Sequence, residues 1–310
     1  MKRMTFAAGA SLALASLIIS AAPANAHTPN DHSISVCSGT LTSPGVLAGT
    51  YKGDVVVKGF CAVNGGAAVV KGDLRIAPGG GLNATFALND VAGSGTSSLR
   101  VKGNLLVGRN AVLAMGCLPQ HSPCSDDPNA GTGGTLTGVN RVDGDLIAAN
   151  ALAVIVHAST IHGDVTQAGG GGGLDCSVPT SGIFSLLKSP VFSDYEDNTI
   201  GGDLRITRLR TCWLGALRDN VHGDLLDVRN KMADPDADEV HSNVVHGSIS
   251  CQANSPVVQF GDAANGTPNQ VFDNATGECS FTTLKHNPAG DPTATPPIPP
   301  GPLTPISVRA

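Results

Sequence analysis

One motif returns along this chain and constrains it more than any other feature. VVKGDLRI, Val69 to Ile76, comes back as RVKGNLLV, RVDGDLIA, TIHGDVTQ, TIGGDLRI and NVHGDLLD. Its glycine falls at Gly53, Gly72, Gly103, Gly144, Gly163, Gly202, Gly223 and Gly247, at intervals of 19, 31, 41, 19, 39, 21 and 24 residues. These fit one period near 20. The 39 and 41 read as two periods with a degenerate unit between them, the 31 as one period with an insertion. A fixed period of this size is the mark of a solenoid.

Each unit holds an apolar strand, a corner of small residues, a second apolar strand, another corner, and then V-x-G leading onward. GDLRI is followed by GGLNATF, GNLLV by NAVLAMG, and GDLIA by NALAVIV. Three short strands per period describe a coil of an all-β, right-handed parallel β-helix, with roughly ten coils and loop insertions. One coil cannot bury its own apolar face, whereas stacked coils about 4.8 Å apart bond strand to strand. Val55, Leu74, Leu105, Leu146, Val165, Leu204, Leu225 and Ile249 hold one repeat position and are expected to form an inward aliphatic ladder. The glycine before them is expected to take φ > 0 at a sharp corner. A leucine-rich repeat has a similar period, but its L-x-x-L-x-L-x-x-N pattern and its helices are missing, and a sandwich does not explain the periodicity. The 39 glycines, 4% aromatics and 14% charged residues suit short strands and turns.

The ends read differently. Lys2 and Arg3, an apolar run from Phe6 to Ile19, and Ala24-Asn25-Ala26 form an export signal over residues 1–26, with mature chain from His27. The run is too short to span a bilayer, which takes about 20 apolar residues, and no later run is long enough. A single β-helix domain is expected over 27–286, capped by His27–Gly49 and Cys251–Phe281. A disordered Pro-rich tail is expected over 287–310, where eight of 24 residues are proline. Removing Lys2 and Arg3 takes the net charge from −6 to −8. That disfavours a nucleic-acid partner, which needs a basic face. Eight cysteines in an exported chain point to disulfides. Cys117 and Cys124 can close a small loop, and Cys37–Cys61 and Cys251–Cys279 can staple the ends, although spacing alone leaves the pairing open. No C-x-x-C pair or finger-like spacing indicates zinc.

Candidate chemistry is sparse. The polar residue after each corner glycine, including Asp145, Asp164, Asp203 and Asp224, forms a second column. Such a column either caps the turns or holds a row of Ca²⁺ ions through oxygen ligands. The residue before the glycine is Lys52, Lys71 and Lys102 in the first units, a basic stripe that either touches an anionic glycan or is simply hydrated. His222 and His246, in the same place, could lie on neighbouring coils. Trp213, in RLRTCWLG with Arg208, Arg210 and Cys212, is the best ligand patch, unless it packs at a loop junction beside a disulfide. Insertions at 118–135, 169–179, 181–194 (a short helix or a loop folded over one face) and the acidic loop 231–239 leave the repeat. No nucleophile elbow, metalloprotease helix, phosphate loop or dinucleotide fingerprint is present.

SVCSGTL…GTYKGDVVVKGFCAV and NVVHGSISCQANSPVV…GECS resemble a group of small exported actinobacterial proteins. These carry V-x-G-[DN]-[LV] coils, a Cys after the first coil and a final N-x-V-x-G-x-[LI]-x-C unit with a second Cys near the end. Here the link to the last Cys is longer and carries DAANGTPNQVFDNAT. The coil is also similar to that of polymer-forming bactofilins, as an analogy of fold. The resemblance implies a β-helix and export, and brings no catalytic residues. The functional expectation is a non-catalytic structural or adhesive role at the cell surface, with wall or extracellular polysaccharide as partner. The alternative is a polysaccharide lyase or hydrolase, which would gather acids and a Lys or Arg off the corner column under an insertion loop.

Overall fold

The computed structural model describes residues 33–261 and 266–284. The segment expected to be an export signal (1–26), the start of the expected first cap and the expected tail (287–310) lie outside the described residues. The described chain is mostly β, and every strand pairing between its strands is parallel.

Three stacks of strands form. Val55–Ala62, Leu74–Ile76, Leu105–Val107, Leu146–Ala149, Val165–Ala168, Leu204–Thr207, Leu225–Val228 and Ile249–Gln252 follow one another in the first. Ser35–Gly39 precedes them and Ala275–Gly277 follows. The second stack includes Val112–Met115, Ala153–His157, Phe192–Glu196, Trp213–Leu217 and Asp238–His241. The third includes Ser98–Val101, Asn140–Val142, Ser159–Ile161, Thr199–Ile200 and Asn220–Val221. The aliphatic ladder forms as expected: Val55 pairs with Leu74, Leu74 with Leu105, and so on to Ile249, every member fully buried. Full burial of a Val, Leu or Ile is worth roughly 1.5–3 kcal/mol, and only the neighbouring rungs supply it.

The repeat count needs one correction. Leu105 pairs directly with Leu146, and Val165 directly with Leu204. The 41- and 39-residue intervals are therefore single rungs with long insertions, and no degenerate unit lies between. The insertions leave at the ends of the second stack. The passage from third stack to first, through V-x-G-D, is always tight.

The corner glycine also has a different cause from the one expected. None of the eight corner glycines has positive φ. A Cβ on Gly72, Gly163, Gly202 or Gly223 would instead collide with Oδ1 of the Asp one rung before. That oxygen accepts the amide of the next corner: Asp73 N–H donates to Asp54 Oδ1 at 2.9 Å, Asp164 to Asp145 at 2.9 Å, and Asp224 to Asp203 at 2.7 Å. Left-handed backbone falls at the other corners, at Asn110, Asn150, Asp197, Arg208, Arg218, Arg229 and Ser242.

Just after one set of these corners runs a buried amide ladder that the repeat motif did not announce. Asn198, Asp219, Asn243 and Asn269 each accept the amide of the residue one rung before: Ser159 N–H donates to Asn198 Oδ1 at 3.1 Å, and Asp219 N–H to Asn243 Oδ1 at 2.8 Å. The asparagines also donate to a backbone carbonyl: Asn198 to Val156, Asn243 to Ala216 and Asn269 to Val240. Asp219 has no NH₂. By the same register its Oδ2 takes that place opposite the Tyr195 carbonyl, and Oδ2 has no hydrogen-bond partner.

All eight cysteines are paired, as Cys37–Cys61, Cys117–Cys124, Cys176–Cys212 and Cys251–Cys279. The first, second and fourth are those that the sequence suggested.

Burial raises the Asp219 carboxyl well above its ordinary value. A carboxyl raised on folding contributes stability that is fully present below its unfolded value near 3.8 and declines as pH rises through the folded value. Asp219→Asn supplies the missing donor. It is expected to stabilise the fold by about 1–3 kcal/mol at pH 7, and by less at pH 4, in denaturant unfolding at the two pH values. An equal or negative change at pH 7 refutes this reading.

Candidate functional site

Polar side chains concentrate on the outer side of the second stack. In SDYED, strand alternation turns Ser193 and Tyr195 inward and Asp194 and Glu196 outward. Inside, the Tyr195 hydroxyl donates to Gln167 Oε1 at 2.8 Å, and Gln167 Nε2 donates to Ser193 Oγ at 3.1 Å. Outside, parallel register sets His157 beside Glu196, and Asp194 beside Gly215 and then Glu239. Residues distant in sequence thereby share one patch.

Its members hold one another. His157 Nε2 and Asp194 Oδ2 are 3.0 Å apart, and both side chains are buried. Arg218 Nη2 donates to Glu196 Oε2 at 2.7 Å and Asp197 Oδ2 at 2.9 Å. The Trp213 indole N–H donates to Glu239 Oε1 at 2.9 Å, and His241 Nε2 is 3.7 Å from Glu239 Oε2. Burial, then the Glu239 charge, pushes the Asp194 carboxyl well above the carboxylate range. Burial, then Asp194, pushes Glu196 up to about 7. Burial pulls the His157 imidazole down, which favours its neutral form.

Insertions cover the patch. The expected segment over one face is present: a helix at Ile183–Leu187 places Phe184 against Phe192, ring centroids 5.8 Å apart, and Phe192 lies edge-on to Trp213 at 6.2 Å. On the far side Phe260 stacks on His241 at 5.5 Å. The stretch read as an acidic loop over 231–239 is partly strand. Asp238–His241 belongs to the second stack, with Asp238 turned inward beside Asp227.

Trp213 is thus the one sequence-selected residue inside this patch. It follows Cys212, which is bonded to Cys176, and its ring lies across Gly215, where a Cβ would collide with it and come 2.7 Å from Asp194 Oδ1. Arg208 and Arg210 are exposed, and neither pairs with an acid among the described residues. Arg208 occupies a left-handed corner at φ 55°. Lys52, Lys71 and Lys102 stand exposed on consecutive rungs, after the paired Tyr51, Val70 and Val101. The same column continues into His222 and His246, whose rings stack at 4.8 Å, and Phe272 stacks on His246 at 4.9 Å. Asp145, Asp164, Asp203 and Asp224 each commit Oδ1 to the next rung's amide. Arg205 bridges Asp164 and Asp203. Among the described residues two groups gather three metal-type donors within 4.8 Å, Cys176–Cys212–Asp234 and His157–Asp194–Glu196, and the corner aspartates are in neither.

Sequence reasoning missed His157, Asp194, Glu196, Arg218 and Glu239. The available signal was the D-x-E alternation of SDYED after the run AVIVH. Compared with protein-family models, curated proteins and solved structures, the chain matches none.

Trp213 is the single tryptophan, so its emission reports this patch directly. Gly215→Ala is expected to displace the ring, shift emission to the red, increase acrylamide quenching and cost about 1–3 kcal/mol by overpacking. Unchanged emission in a folded variant contradicts the packing described.

Proposed function

We propose that this chain is a right-handed parallel β-helix, exported, akin to the actinobacterial V-x-G-[DN]-[LV] proteins, and that it serves at the cell surface as a non-catalytic structural or adhesive element. The four disulfides are compatible with an extracellular setting. No helix among the described residues is long and apolar enough to cross a membrane.

The observation that carries the reading is the outer face of the first stack. Val36, Val56, Arg75, Leu106 and Ile147 follow one another in register on five successive rungs. Val36 and Ile147 are 55% and 38% exposed, and a shallow depression runs between Val56, Arg75, Pro78, Leu106 and Ile147. A largely apolar stripe on water-facing strands, interrupted by the exposed Arg75, favours contact with an extended surface. A flat array of rungs about 4.8 Å apart suits polysaccharide chains or packed wall.

A second reading, a polysaccharide hydrolase or lyase, draws on Asp194, Glu196 and Glu239. They stand off the corner column with Arg218 and Trp213, beneath insertions.

Co-sedimentation of the mature protein with purified cell wall and insoluble polysaccharides, with released sugar ends assayed, separates the two. Binding without release is expected, weakened about tenfold or more in Ile147→Asp and unchanged in Glu196→Gln. Sugar release that Glu196→Gln abolishes makes the protein an enzyme. Failure to bind any of these materials removes the adhesive reading.

A further inference from the structure

We propose that His157, Asp194 and Glu196 form a binding site for one first-row divalent cation of the zinc class. The three donors lie within 4.8 Å of one another, and all three residues are buried. His157 Nε2 and Asp194 Oδ2 are 3.0 Å apart. That approaches the edge of a tetrahedral shell, about 3.3 Å when donors sit about 2.0–2.1 Å from zinc. One imidazole with two carboxylates suits zinc, manganese or cobalt better than calcium, which prefers six or more oxygens.

A second observation points to a ligand. Asp194 Oδ1 is buried without a hydrogen-bond partner, on a residue only 6% exposed. Buried polar atoms are ordinarily satisfied. A cation held by both oxygens of Asp194 and by His157 gives Oδ1 its partner.

Charge points the same way. Asp194, Glu196 and Asp197 crowd one patch. Arg218 is engaged with Glu196 and Asp197 and acts on Asp194 only at longer range. Burying carboxylates without a countercharge is costly. A carboxylate has two oxygens, so Arg218 on Oε2 does not exhaust Glu196. Alternation and register build the arrangement. Asp194 and Glu196 share a face of one strand, and His157 lies opposite Glu196 on the strand before it.

The test uses the full mature chain, disulfides intact, stripped with chelator and titrated with Co²⁺ and then Zn²⁺. One Co²⁺ per chain is expected, with visible absorption of a low-coordinate nitrogen–oxygen site that one equivalent of Zn²⁺ displaces. Melting temperature should rise with either metal. Asp194→Asn and Glu196→Gln, both near-isosteric, should each weaken binding about tenfold or more. Asp234→Asn, in the group beside the Cys176–Cys212 disulfide, and Asp164→Asn, in the corner ladder, should leave it unchanged. Absence of stoichiometric binding overturns the proposal. So does binding that survives both Asp194→Asn and Glu196→Gln, or binding lost only in Asp234→Asn or Asp164→Asn.

Discussion

The structure depends on one hydrogen bond, repeated: a corner amide donating to the aspartate or asparagine oxygen of the rung before it. From Asp54 to Ser248 the chain of bonds is unbroken. It sets the corners directly above one another, and a one-residue slip would turn every inward side chain outward. The carboxylate leans over the next glycine's Cα, so any side chain there would push the rungs apart. The like charges of the column are offset locally. Each Asp accepts an amide dipole, Arg75 pairs with Asp73, and Arg205 pairs with Asp164 and Asp203.

That bond also explains where the chain tolerates insertion. A corner whose length is fixed by a rung-to-rung bond cannot be extended without breaking the column. The corners flanking the second stack depend on left-handed single residues and on asparagine side chains, which terminate a strand without fixing what precedes it. Residues 117–139 and 171–190 are accommodated there, and two of the four disulfides, Cys117–Cys124 and Cys176–Cys212, tie those insertions down.

The same asymmetry decided what could be read from sequence. The aliphatic ladder from Val55 to Ile249 was legible because it trails an invariant corner by a fixed offset. The asparagine ladder was not. Asn140, Asn198, Asp219 and Asn243 each stand four residues before the corner glycine, but Ala68, Leu99 and Ser159 hold the same place on other rungs, so the column carries no constant residue, and an isolated Asn in a loop-like stretch reads as a turn residue. The corner glycine was identified correctly and explained wrongly, because its constraint comes from a side-chain oxygen 18 to 40 residues away rather than from its own φ. Of the candidate site, Trp213 stood out as a rare residue. His157, Asp194 and Glu239 are ordinary until register is known, because 37 residues separate the first two and a whole rung separates the last two.

The outer side of the second stack remains the place where local economy fails. Elsewhere, with Asp219, Asp227 and Asp238 as exceptions, the buried polar ladders meet backbone partners. Here acids and imidazoles from three of four successive rungs are enclosed by Phe184, Phe192, Trp213 and Phe260. An apolar patch would pack against those rings at lower cost, as Ala153 and Ile155 on the His157 strand and Val112 on the rung before it do with Phe184. Replacing buried ionic groups by apolar ones of similar volume is often neutral or stabilising, so stability is not a sufficient reason for this composition. Each group is instead oriented by its neighbour, His157 by Asp194, Glu196 by Arg218 and Glu239 by Trp213. Such mutual orientation is what a preorganised binding site requires. The insertions therefore do more than decorate the repeat: by excluding water they raise the strength of every charge interaction beneath them.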